Sequence, residues 1–160
     1  LFERVVTVTG LSLKNPGNFL TRIGTPVSSL IEAAGGLPDD TGKIISGGPM
    51  MGKALNSMDV PVVKGSSGIL VVPQKFSGRR EVQNCIRCSK CVNACPMGLE
   101  PYLLMSMAEK KMYERLEREK ILDCMECGSC SFICPSGRPL LDYIRLGKAK
   151  TTQLIRARKN

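Results

Sequence analysis

The apolar positions of the first half lie in short runs rich in β-branched residues, broken by glycine and proline. Glu3–Thr9 (ERVVTVT) reads as a strand that stops at Gly10, Asn15-Pro16-Gly17 as a turn, and Asn18–Ile23 as the returning strand. The spacing then changes. Val27, Leu30, Ile31 and Ala34 recur at helical intervals, which predicts one helix with Thr25 as N-cap, Pro26 at the first helical position and Gly35-Gly36 closing it. Two further strands are expected at Lys43–Ile45 and Gly68–Val72. Strand, turn, strand, helix and further strands is the order of a small β-grasp-like domain, placed at residues 1–74.

The second half patterns differently. Pro101–Lys120 lacks glycine and is dense in Leu, Met, Glu and Lys, which predicts one or two short helices with Tyr102, Met105, Met112 and Leu116 on a buried face. Pro139 opens another helix with Asp142 in its first turn, and Leu140, Leu141, Ile144, Leu154 and Ile155 offer apolar contacts. The fold class is therefore α+β: a β-grasp-like domain, then an α-helical domain at residues 75–160. The methionines read as core filler.

Composition separates the halves further. Residues 1–74 carry six Lys/Arg against five Asp/Glu, whereas residues 75–160 carry seventeen against nine, and the latter hold all eight cysteines. Histidine is absent, which removes Ser-His-Asp and Cys-His catalysis, HExxH zinc sites and His-ligated haem. No apolar run approaches the ~18 residues of a membrane span, and no secretory signal is visible. Leu1 opens inside what reads as a strand, so the chain is expected to be a fragment of a longer protein. Residues 1–74 show no acid/base pair or nucleophile. Their one unusual stretch, Gly47-Gly48-Pro49-Met50-Met51-Gly52, lacks the phosphate-loop patterns and reads more simply as a tight turn than as a cofactor loop.

The chemistry lies in the cysteines. Cys85, Cys88, Cys91 and Cys95, followed by Pro96, repeat 39 residues later as Cys124, Cys127, Cys130 and Cys134, followed by Pro135. Both runs are C-x2-C-x2-C-x3-C-P. Three cysteines at this interval wrap one cubane, and the fourth ligates the cluster of the other run, as in two-cluster ferredoxins. The expected sets are Cys85, Cys88, Cys91 and Cys134 for one [4Fe–4S] cluster, and Cys124, Cys127, Cys130 and Cys95 for the second. Zinc knuckles are usually spaced more widely, and disulfides need an oxidising compartment; the spacing favours iron–sulfur over both. Arg138–Asn160 hold seven Lys/Arg and one Asp. This basic tail reads as a solvated helix face that offsets cluster charge; the alternative is a contact for an acidic redox partner or an anionic membrane. Nothing points to nucleic acid: aromatics do not interleave with the basic residues.

The motifs V-V-T-V-T-G (Val5–Gly10), A-G-G (Ala34–Gly36), G-G-P-M-M-G (Gly47–Gly52), both cysteine runs and the Y-I-R-L-G-K segment (Tyr143–Lys148) resemble the RnfC family. That family supplies the peripheral, NADH-side subunit of ion-translocating electron-transport complexes at the bacterial cytoplasmic membrane, on its cytoplasmic side. The resemblance implies a soluble-ligand-binding β-grasp domain followed by an α-helical ferredoxin domain. It further implies that the eight cysteines relay electrons between a flavin and a neighbouring iron–sulfur subunit, with ion transport coupled in the whole complex. FMN and NADH are expected only in an upstream domain absent from these 160 residues, so the chain itself is expected to be an electron carrier with no substrate site of its own. Two alternatives stand beside this: the electron-transfer part of a cobalamin-reductase-like microcompartment flavoprotein, and a structural, metal-pinned interaction module.

Overall fold

The computed structural model describes residues 2–159. The chain divides at Gly78–Arg79 into two compact units, each with its own core. This division falls a few residues after the shift in composition, because Gln74–Ser77 form a short helix of the first unit: the Gln74 amide donates to the Asp40 carbonyl at 2.7 Å, and Lys43 Nζ donates to the Ser77 carbonyl at 2.7 Å.

In the first unit the strands are β1 (Glu3–Gly10), β2 (Gly17–Arg22), β3 (Thr41–Ser46), β4 (Lys53–Ala54) and β5 (Gly68–Pro73), with α1 (Val27–Ala33) after β2 and α2 (Gln74–Ser77) after β5. Their order in the sheet is β2-β1-β5-β3-β4. β5 enters between β1 and β3, parallel to β1 (Thr7 opposite Gly68) and antiparallel to β3 (Ile45 opposite Leu70). A hairpin, a helix on one face and a last strand returned to the middle of the sheet make up a β-grasp topology. Period-two alternation sends Val6 and Val8 of β1 and Ile69 and Val71 of β5 inward, where they meet Val27, Leu30, Ile31 and Ala34 of the α1 stripe.

The start of α1 departs from expectation. Pro26 is the N-cap residue, not the first helical residue; it is extended (φ −67°, ψ 148°), and no side chain caps the helix. Residues 58–62 take the role assigned to Thr25: the amides of Val27 and Ser28 donate to the carbonyls of Val60 and Met58, both at 3.0 Å, and Pro26 bridges Pro61. A crossing backbone segment thus satisfies the free amides of the first turn.

Gly47–Gly52 form the tight connection from β3 to β4, with the Gly52 amide donating to the Gly48 carbonyl at 2.7 Å. A side chain at Gly52 would put its Cβ 2.4 Å from Ile45 Cγ2 and 2.6 Å from the Gly48 oxygen, so the turn closes only on glycine. The plain structural reading of this stretch accounts for it.

The second unit is helical: α3 (Lys90–Asn93), α4 (Pro101–Glu109), α5 (Tyr113–Arg118), a 3-10 turn (Ile121–Asp123), α6 (Ser129–Ile133) and α7 (Leu140–Lys159). α7 packs on α4, α5 and the 3-10 turn, and α3 packs on α6. Leu104, Met105, Leu116, Ile121, Leu140 and Ile144 form the centre of the core. Met105 and Leu116 are buried as the helical spacing predicts and Met112 is half-buried, but Tyr102 is exposed. At the second position of α4 it leaves the stripe formed by Leu104, Met105, Met107 and Ala108. No helix among the described residues is long and apolar enough to cross a membrane.

Candidate metal centre

The duplication in sequence is also a duplication in backbone. Arg87 and Ser89 in the first loop, and Glu126 and Gly128 in the second, all have left-handed backbone, at φ 55°, 57°, 59° and 83°. Gly98 and Gly137, after the two Cys-Pro pairs, match again at 63° and 59°. Each left-handed residue reverses the chain locally, curling the loop so that cysteines with two residues between them turn to a common side. α3 carries Cys91 and α6 carries Cys130, so the packing of these short helices on each other sets the loops face to face.

Two cavities lie between the loops. One is lined by Cys85, Cys88, Cys91 and Cys134, with Arg87, Tyr102 and Arg138 among its other residues. The second is lined by Cys95, Cys124, Cys127 and Cys130, with Glu126, Leu104 and Ile144. The first set is the more accessible, since Cys85 and Cys88 are exposed, whereas Cys130 of the second is buried.

None of the eight cysteines is paired in a disulfide. Among the described residues no three His, Cys, Asp or Glu side chains converge closely enough to hold a single metal ion. Four thiolates around one zinc would stand about 3.8 Å apart, given a Zn–S bond of about 2.3 Å. Sulfur-only donors ranged round a cavity fit a polynuclear cluster better, because its irons and sulfides fill the middle.

Burial pushes the thiols of Cys91 and Cys124 above the ordinary value and that of Cys130 up to about 11. The Ser129 hydroxyl, 3.4 Å from Cys127 Sγ, holds that thiol below it. Loading iron must therefore displace protons from buried sulfurs, which couples metal binding to the folding of this unit.

Sequence reasoning did not single out the charged residues around the sulfurs. Lys148 of α7 donates to the Cys124 carbonyl at 2.6 Å and sits 3.4 Å from Glu126; Arg145 pairs with Glu126 at 3.0 Å. Arg158 pairs with Glu114 and Glu117 of α5. Several charges of the basic tail are thus committed within the unit. The 39-residue repeat held a signal for one of these residues, since Glu126 falls opposite Arg87.

Comparison with known proteins matches both halves of the chain. The SLBB domain family matches residues 5–54 and the 4Fe-4S dicluster domain family matches residues 77–137. The chain is 46% identical over 151 residues to the C subunit of the proton-translocating ferredoxin:NAD(+) oxidoreductase complex of Clostridium ljungdahlii, covering 94% of this chain and 33% of the relative. The chain belongs, as a partial segment, to the RnfC family. Two further members of that family bear this out. The C subunit of the ion-translocating oxidoreductase complex of Yersinia enterocolitica is 48% identical over 155 residues (96% of this chain, 22% of the relative). Its counterpart in the Na(+)-translocating ferredoxin:NAD(+) oxidoreductase complex of Acetobacterium woodii is 44% identical over 148 residues (92% and 33%). The chain thus spans between a fifth and a third of the length of these RnfC relatives. The dicluster match and the eight cysteines together support iron–sulfur clusters as the cofactor.

Proposed function

We propose that this chain is the electron-relay portion of an ion-translocating ferredoxin:NAD oxidoreductase complex. It carries two [4Fe–4S] clusters, one held by Cys85, Cys88, Cys91 and Cys134 and the other by Cys95, Cys124, Cys127 and Cys130. The observation that carries the reading is that each cavity is lined by three cysteines of one run and the fourth of the other. The names of the relatives support the complex and its class of reaction.

When bound, the clusters supply reversible one-electron transfer. The chain holds them near one another through the α3–α6 contact and excludes water from the second set with Leu104, Leu141 and Ile144. In the whole complex the electrons pass between a flavin/NADH site in a part of the protein outside these residues and a partner iron–sulfur subunit. The chain takes its place peripherally, at the cytoplasmic face of the bacterial membrane. In the same reading the first unit is a β-grasp domain of the soluble-ligand-binding type and the second is the ferredoxin domain, divided at Gly78–Arg79.

The test is iron and acid-labile sulfide per chain on anaerobically purified protein, with EPR after dithionite reduction. About eight of each, with a coupled reduced spectrum, is the expected result. Zinc without sulfide, and no reducible signal after reconstitution, would replace the relay with a structural metal module.

A further inference from the structure

The two cysteine loops correspond residue for residue, and one position reverses its charge: Arg87 stands where the second loop has Glu126. Both have left-handed backbone, at φ 55° and 59°, and each lines the cavity of its own loop. The surroundings widen this difference. Arg138 also lines the first cavity; its Nε donates to Met105 Sδ at 3.4 Å, and it forms no ion pair among the described residues. At the second cavity the nearby cations Arg145 and Lys148 are both engaged by the Glu126 carboxylate, at 3.0 and 3.4 Å. Water reaches the first set through the exposed Cys85 and Cys88, while Cys130 of the second is buried among apolar side chains.

Adding an electron to a four-thiolate cubane makes an already anionic group more negative. A nearby unshared cation and access to water both stabilise the added charge and raise the reduction potential; a carboxylate and a dry apolar wall lower it. Arg87 and Arg138 line the first cavity with no carboxylate among its lining residues, whereas at the second Glu126 offsets one of the two charges of Arg145 and Lys148. The smaller net positive charge and the drier wall of the second site therefore act in the same direction.

We propose that the cluster of Cys85, Cys88, Cys91 and Cys134 has the higher reduction potential of the two, and that Arg138, oriented by Met105, is a principal cause of the gap. This rests on the two-cluster reading above. A single electron delivered by an external reductant then resides on the first set, leaving the second oxidised. Arg138 acts as a cation held against the cavity wall by a buried thioether, and Arg87 adds a second, more solvated charge at the rim.

The test is a redox titration of the cluster-loaded chain followed by EPR, with iron and sulfide counted on the same samples. Arg138→Gln is expected to move the higher-potential step to a more negative value and to leave the lower step in place. Arg138→Lys should restore most of the difference, and Met105→Leu, which keeps the volume but removes the acceptor, should give a smaller shift of the same step. Arg87→Gln, at an exposed loop position, should shift that step too without disturbing the core. A shift of the lower-potential step by Arg138→Gln, or no shift of either step at full iron content, overturns the proposal. Fewer than about eight irons per chain overturns the two-cluster reading itself, and this inference with it.

Discussion

Lys148 Nζ, on α7, donates a hydrogen bond of 2.6 Å to the carbonyl oxygen of Cys124, the first cysteine of the second run. The same ammonium lies 3.4 Å from Glu126, two residues further along the loop, so one partly buried cation ties the long C-terminal helix to both ends of a short loop segment. Lys148→Met keeps most of the aliphatic stem and removes both contacts. A charge-assisted bond of this kind contributes about 1.5–3 kcal/mol. The variant is expected to unfold at lower urea concentration and to lose iron faster under chelation than the parent chain.

Gly147, the neighbour of Lys148, lies where α7 approaches α4, α5 and the 3-10 turn. An added Cβ would stand 2.9 Å from Ala108 Cβ and 3.0 Å from Leu116 Cδ1. Gly147→Val is expected to destabilise the second unit by about 2 kcal/mol through overpacking, read as a lowered denaturation midpoint.

The matched left-handed positions separate the two loops by residue type. Ser89 (φ 57°) bears a side chain where Gly128 (φ 83°) has none. Left-handed backbone costs a non-glycine residue about 1–2 kcal/mol, offset in part by the unfolded-state freedom that glycine brings. Ser89→Gly is expected to be neutral to stabilising, by up to about 1 kcal/mol. Gly128→Ala is expected to destabilise by a comparable amount, and paired chemical denaturation curves check both.

The crossed ligand sets predict crossed damage. Cys95→Ala should abolish the cluster of Cys124, Cys127 and Cys130, and Cys134→Ala the cluster of Cys85, Cys88 and Cys91. EPR of each reduced variant decides this: loss of the cluster in the run that carries the substitution, with the other intact, would sink the crossed assignment.

Iron removal should act on one unit only. Val6, Val8, Ile31 and Ile69 close the first core without any cysteine, whereas Cys91, Cys95, Cys124 and Cys134 pack into the second. Calorimetry of the chelated protein is expected to keep the transition of the first unit and to lower or erase that of the second.

Much of this architecture was legible in local signals. β-branched runs located β1, β2, β3 and β5 to within a residue or two, and the Val27–Leu30–Ile31–Ala34 spacing identified the buried stripe of α1. The two-residue strand β4 gives no such signal, because a pair of exposed residues, Lys53 and Ala54, has no periodicity. Thr25 looked like a cap because Ser/Thr before proline commonly is one. The segment around Met58–Val60, some thirty residues away, took that role by folding across the helix start. Tyr102 looked buried because helical spacing shows which positions share a face, but not which face meets the core.

Residue type and spacing determined by themselves what kind of cofactor this protein takes: eight thiols, no imidazole and a repeated C-x2-C-x2-C-x3-C-P leave little other chemistry, and three of the four thiols of each set lie within one short loop. Only the tertiary structure decided what surrounds the sulfurs. Glu126 is met by Arg145 and Lys148 from a helix that begins after the second run ends, and Arg138 is held by Met105 across more than thirty residues. Those contacts depend on how α7 lies against α4 and the loops. Electrostatic surroundings are set by distance in space, which sequence spacing does not report beyond a single loop or turn.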